Sequence, residues 1–156
     1  MASVNYAVPK IGQGNARCCW LACYQMLYAW KGRSRTEPHE RARRSGVSTT
    51  SGLYEDQWGK ARDAMWLTSY RVGHLKESAD NLYEVLRKHG PMWCAGNFLQ
   101  GSGHAIVVCS IDTESGAIRA NDPYEIYNHP DADMRLTFSG WRKLVREMPF
   151  ACQVWP

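Results

Sequence analysis

Along the first part of the chain the hydrophobic positions cluster rather than alternate. Residues 16–31, ARCCWLACYQMLYAWK, are apolar on almost every side of a helix, and a helix without a polar face belongs in the middle of a fold. Asn15 stands where a cap would start it and Gly32 where a stop would end it. Over residues 32–52 large apolar side chains nearly vanish, Ser, Thr and Arg take over and Pro38 intervenes, so the pattern predicts a long surface excursion. Residues 53–67 set Trp58, Ala61, Met65 and Trp66 among charges at helical spacing, which predicts an amphipathic helix. In residues 78–88, Ser78 or Asp80 can cap a helix, Leu82, Val85 and Leu86 form one stripe, and Gly90-Pro91 ends it.

Beyond Pro91 the period changes. MWCAGNF, HAIVVCSI, AIRAN and FACQVW are short segments rich in β-branched and aromatic residues, divided by Gly, Ser, Asp and Pro, and they predict an antiparallel sheet. A last helix is expected between residues 140 and 147, with Trp141, Leu144 and Val145 facing inward. Helices first and strands second is the pattern of an α+β fold with segregated layers.

With 156 residues, the chain fits one domain over 1–156. A composition 44% hydrophobic and 22% charged, with 7 Trp and 8 Tyr, excludes disorder as the main state. No apolar run approaches the ~20 residues of a membrane helix, and the first fifteen residues have neither the basic start nor the apolar centre of a signal peptide. The net charge of +4 is concentrated between residues 31 and 44, where Lys31, Arg33, Arg35, Arg41, Arg43 and Arg44 face only Glu37 and Glu40. Such a segment can steer an acidic protein partner. No base-reading motif accompanies it, so no nucleic acid partner is expected. Six cysteines permit disulfides, but adjacent Cys18 and Cys19 can hardly bridge each other and no spacing resembles a small secreted scaffold; reduced thiols in a cytosol are the expectation.

One cysteine is placed for chemistry. Cys19 falls in the first turn of the apolar helix, where unbonded N–H groups and the positive end of the dipole favour a thiolate. Cys23, Cys94, Cys109 and Cys152 read as small hydrophobes. A thiol nucleophile needs a base, and His104 opens an apolar strand after Gly101-Ser102-Gly103, whereas His39, His74, His89 and His129 lie in polar or turn-like settings. The segment DTESG, residues 112–116, predicts a hairpin turn centred near residue 114, with His104 ten residues before it and Asp122 eight after. Cross-strand and diagonal neighbours lie ~5 to 8 Å apart, within reach of a carboxylate-to-imidazole contact. Asp122 would fix the imidazole tautomer and stabilise an imidazolium; Asn121 is the alternative orienter, and Asp122-Pro123 also reads as a plain turn opener. Gln13, six residues before Cys19, offers an amide that with the Cys19 backbone N–H would hold an oxyanion. The cysteines contain no C-x2-C pair and present no tetrahedral zinc set, so no metal or other cofactor is expected.

Together, Q-x5-C-W over residues 13–20, G-H-A-I-V-V over 103–108 and N-D-P over 121–123 resemble the compact bacterial type of papain-like cysteine peptidase. That group includes double-glycine leader peptidase domains of exporters, effector proteases of plant pathogens and toxin domains of competing bacteria. The resemblance implies Cys19 as nucleophile, His104 as base then acid, Asp122 as orienter and Gln13 as oxyanion donor. Cys18 lacks both the six-residue offset from Gln13 and the following Trp. The resemblance further implies a cysteine endopeptidase acting on a protein or peptide, with Gly-Gly as a first choice of site. It also implies an effector or toxin that works in a reducing cytosol after secretion into a target cell, with a possible cognate immunity protein. The same triad also serves deamidation, transglutamination and cell-wall amide hydrolysis, and a non-catalytic binding module is the alternative of a different class. The basic segment is not part of the shared pattern, and no exporter membrane segment is present.

Overall fold

The structure is a computed structural model and describes residues 2–14, 18–99 and 102–156. In chain order the elements are β1 (Ser3–Asn5), α1 (Cys19–Trp30), α2 (Glu37–Ser45), a 3-10 turn (Glu55–Gln57), α3 (Trp58–Ala64), β2 (Thr68–Ser69), α4 (Val72–Glu77), α5 (Ala79–His89), β3 (Met92–Leu99), β4 (Ser102–Asp112), β5 (Ala117–Asn121), α6 (Pro123–Asn128), β6 (Met134–Thr137), α7 (Phe138–Leu144) and β7 (Cys152–Val154). Among the described residues the seven strands form one antiparallel sheet in the order β2-β7-β3-β4-β5-β6, and β1 pairs with β4. This is the expected α+β architecture.

The all-round apolar segment forms α1, which packs against β3 and β4 at the middle of the sheet and buries Trp20, Leu21, Ala22, Cys23, Tyr24, Met26, Leu27 and Tyr28. Tyr24 stacks on Trp93 of β3, with ring centroids 5.2 Å apart, and donates a hydrogen bond of 2.7 Å to Gln153 Oε1 of β7. These two polar groups of the core thereby satisfy each other. α5 ends as its sequence predicts: the Ser78 hydroxyl accepts from Asn81 N at 3.1 Å, and Gly90 turns at φ 96°. Gly90 is also required for space, since a Cβ there would lie 2.5 Å from the Trp30 ring.

Several expectations are corrected. The surface excursion over 32–52 contains α2. Pro38 occupies its first turn, where a missing N–H breaks no helical bond. Glu37 pairs with Arg33 and Arg41 at 2.6 and 2.7 Å, and Glu40 with Arg43 and Arg44 at 2.5 and 3.0 Å. Helical i,i+3 and i,i+4 pairs thus stabilise a segment that has almost no apolar stripe to reveal it. The helix expected over 53–67 divides into the 3-10 turn and α3, and the chain leaves helical geometry at Trp66, with φ 60°. The exposed Trp66 ring lies 3.7 Å from the Arg41 guanidinium, a cation–π contact that holds it outward. The last helix begins earlier than expected, where the Thr137 hydroxyl accepts from Gly140 N, and it stops at Leu144 because Val145 bridges to Gly96 of β3. α6 and α7 lie between strands, so helices and strands are less segregated along the chain than the pattern predicts. Asn15, the expected cap of α1, lies outside the described residues. No helix among the described residues is long and apolar enough to cross a membrane.

Candidate active site

Cys19 is the first residue of α1, and Cys18 holds the cap position, its carbonyl accepting from Ala22 N at 3.1 Å. The N–H of Cys19 is therefore one of the four that the helix itself leaves unbonded. Successive side chains on a helix diverge by ~100°, and the two thiols separate accordingly. Cys18 is buried and donates to Thr49 O at 3.2 Å, while Cys19 is half-buried and lines a cleft of about 800 Å³ together with His104.

His104 reaches this cleft from β4, directly opposite Gly96 of β3. Gly96 is tightly enclosed: a Cβ there would run into Leu144 O. The turn after β4 closes where the sequence places it, with Gly116 N donating to Asp112 O at 2.8 Å and Gly116 at φ 76°. β5 then returns antiparallel, with one register shift between Val108 and Ser110 that sets Val107 opposite Asn121, so Asp122 comes back diagonal to His104. His104 Nε2–H donates to Asp122 Oδ1 at 2.5 Å, and both residues are buried, 7% and 4% exposed. The same carboxylate oxygen accepts from Tyr124 N at 2.9 Å and caps α6, with Pro123 in its first turn. The two readings of Asp122-Pro123, histidine partner and turn opener, thus hold together.

Asn121 points elsewhere: fully buried, it donates to Val8 O at 3.2 Å and contacts Met26 Sδ at 3.6 Å. Gln13 is 4% exposed, and its backbone N–H donates to Pro123 O at 3.1 Å. The preceding Gly12 lets this segment dock on α6, since a Cβ there would lie 2.8 Å from Tyr127 Cα. The segment bearing Gln13 therefore rests on the helix that Asp122 caps.

Because Nε2 is taken by Asp122, the Nδ1 side of the ring is left for Cys19, which lines the same cleft. Burial, the largest single influence on His104, pushes its pKa down. The hydrogen bond to Asp122, followed by the contact with Cys19, outweighs it and lifts the imidazole from 6.5 to about 9. The cation of His104 is therefore favoured through the neutral range. Two thiols outside the cleft are held protonated: burial pushes Cys23 well up and Cys109 to about 12.

The cleft walls come from parts of the chain that no motif marked. Trp20 Nε1 donates to Ser51 O at 3.0 Å and Trp58 Nε1 to Leu53 O at 3.3 Å, fixing the segment before the 3-10 turn as one wall. Glu55 on that turn pairs with Arg146, which follows α7 and also donates to Asn97 Oδ1 at 3.3 Å. Glu55 and Arg146 both line the cleft. They are 91 residues apart in sequence, and nothing local in the sequence signals the pair.

A search of curated proteins finds no match. Among solved structures, the chain is similar to the crystal structure of a double glycine motif protease from an AMS/PCAT transporter in complex with the leader peptide. The two share 21% sequence identity and a TM-score of 0.58, over 97% of this chain and 92% of the other. That likeness establishes a common fold. The family comparison reaches further, because it aligns residues 2–135, from before β1 into β6, with the papain-like cysteine protease AvrRpt2 family. A match over that much of the chain makes it a member of that family, and so a papain-like cysteine protease.

Proposed function

We propose that this protease is an endopeptidase that uses Cys19 as nucleophile, His104 as proton carrier, Asp122 as the group that orients and charges His104, and Gln13 as an oxyanion donor. The reading is carried by one observation: Asp122 holds the buried His104, and His104 shares one cleft with Cys19 at the head of a buried helix. The Cys19 thiolate attacks the peptide carbonyl. The Cys19 backbone N–H and the Gln13 amide stabilise the tetrahedral oxyanion. His104 then protonates the leaving amine from Nδ1, and a water deprotonated by the same nitrogen releases the acyl-enzyme. None of these steps calls on a metal.

The substrate is a protein or peptide, with Gly-Gly as the first site to test, a choice motivated by the similar double glycine motif protease. The protein acts as a bacterial effector or toxin in the reducing cytosol of a target cell, and a cognate immunity protein would close the cleft. Mapping new protein N-termini in cells that express wild type or Cys19→Ala tests the reading. Cleavages confined to wild type support it, whereas modified glutamines about 1 Da heavier without new termini would assign the same site to deamidation.

A further inference from the structure

Two cysteines outside the cleft face each other. Cys94 of β3 and Cys152 of β7 are direct partners in the antiparallel register, and both are fully buried. The neighbouring bond runs from Ala95 N to Ala151 O at 2.9 Å, which makes Cys94 and Cys152 a non-hydrogen-bonded pair. This is the closer of the two antiparallel kinds, with Cα atoms ~4.5 Å apart. Disulfides span Cα separations of ~4.4 to 6.8 Å, so the sheet already holds this pair at a bonding distance.

We propose that Cys94 and Cys152 are a covalent modification site, forming a cross-strand disulfide when the chain folds in an oxidising medium and reopening in a reducing one. The oxidant is a small-molecule disulfide such as glutathione disulfide. One cysteine thiolate attacks it, giving a mixed disulfide and releasing one glutathione. The second cysteine thiolate then attacks the bound sulfur and expels the other glutathione. Two thiols lose two electrons and two protons in total, and the two released glutathione thiols carry them away.

β7 is fully buried, and Gln153 within it is tied to Tyr24, Trp58 and Phe150. The exchange therefore belongs to folding, before this strand is covered. In the closed fold the neighbouring Cys94, followed by burial, keeps Cys152 protonated, so exchange occurs during folding. Once made, the bond ties β7 to β3 two residues from Gly96, the partner of His104, without touching Cys19.

Refolding full-length Cys19→Ala protein in a glutathione redox buffer, blocking free thiols and digesting with trypsin without reductant tests the proposal. The expected product joins peptide 89–119 to peptide 147–156 with the loss of two hydrogens, about 2 Da. Fragmentation should place the link at Cys94 and not at Cys109. The melting temperature should rise by on the order of 5–10 °C, an increase that dithiothreitol removes. Recovery of both Cys94 and Cys152 as blocked thiols across the redox range, or a link through Cys109, overturns the proposal. The readout is taken with both cysteines in place, so a misfolding Cys152→Ser variant does not obscure it. It is also independent of the catalytic roles proposed above.

Discussion

Replacing Asp122 by asparagine removes a charge from beside His104 and leaves most of the surrounding structure in place. Asp122 Oδ1 accepts from both His104 Nε2 and Tyr124 N, at 2.5 and 2.9 Å. Asparagine keeps an oxygen at that position and ranks with aspartate as a helix cap, so α6 remains capped. What disappears is the carboxylate that, with Cys19, holds His104 near 9 against the downward push of burial. The rise from 6.5 to about 9 is worth roughly 3 kcal/mol in favour of the imidazolium, at ~1.36 kcal/mol per pH unit. Without the carboxylate, burial is opposed by Cys19 alone, and the His104 pKa should fall by on the order of 1–2 units.

Two measurements follow from that figure. The alkaline limb of kcat/KM, where the imidazolium is lost, should lie near pH 9 in wild type and ~1–2 units lower in Asp122→Asn. The second is stability. A histidine whose folded pKa exceeds its unfolded value contributes fully below the unfolded value and loses that contribution as pH rises through the folded one. The wild type should therefore exceed the variant in urea midpoint most clearly near pH 6, and the gap should shrink above pH 9. An alkaline limb that stays in place, with a midpoint difference equal at pH 6 and pH 10, would refute the electrostatic role assigned to Asp122.

The shorter predictions concern the rest of the site and the core behind it. Iodoacetamide at neutral pH should label Cys19 selectively in native protein and more slowly in His104→Ala, because Cys23 and Cys109 are buried and held as thiols; mass mapping of the alkylated peptides checks this, and Cys18→Ala should keep wild-type activity. Gly96→Ala forces a Cβ against Leu144 O, so it should cost ~1–3 kcal/mol in urea unfolding and lower kcat/KM at least tenfold by shifting the strand opposite His104. Glu55→Gln breaks a half-exposed ion pair, and should change thermal stability by less than about 1 kcal/mol while raising KM for peptide substrates, since Glu55 and Arg146 line the cleft. Tyr24→Phe leaves Gln153 Oε1 buried without its donor, a loss of ~1–3 kcal/mol measurable by chemical denaturation.

The parts of the fold legible in the sequence are those whose cause is local. α1 could be read because its residues are apolar all round, and β3 to β5 because β-branched and aromatic runs are punctuated by turn residues. α2 could not: its stability comes from Glu37 and Glu40 each held between two arginines, and a run of charges without an apolar stripe looks the same in a loop. β1, β2 and β6 have two to four residues, too few to show a period, and each exists because a longer strand offers it an edge.

The same division runs through the site and explains why its chemistry was easier to read than its specificity. Cys19 is placed by a helix start, His104 by a strand opening and Asp122 by a hairpin count and a helix cap, all signals carried by the element or the single hairpin that holds each group. Glu55, Arg146 and the segment held by Trp58 are brought to the cleft by tertiary contacts alone. Trp20 stands between these cases. Its place beside Cys19 is visible as a motif, but its reason is spatial: Nε1 donates to Ser51 O, and its own carbonyl accepts from Trp93 Nε1 at 3.2 Å. The residue after the nucleophile therefore anchors one cleft wall to the helix that bears the thiol and to β3. A Trp20→Phe variant should accordingly keep its Cys19 alkylation rate and lose substrate affinity, because the reacting thiol remains in place while the wall facing the substrate is released.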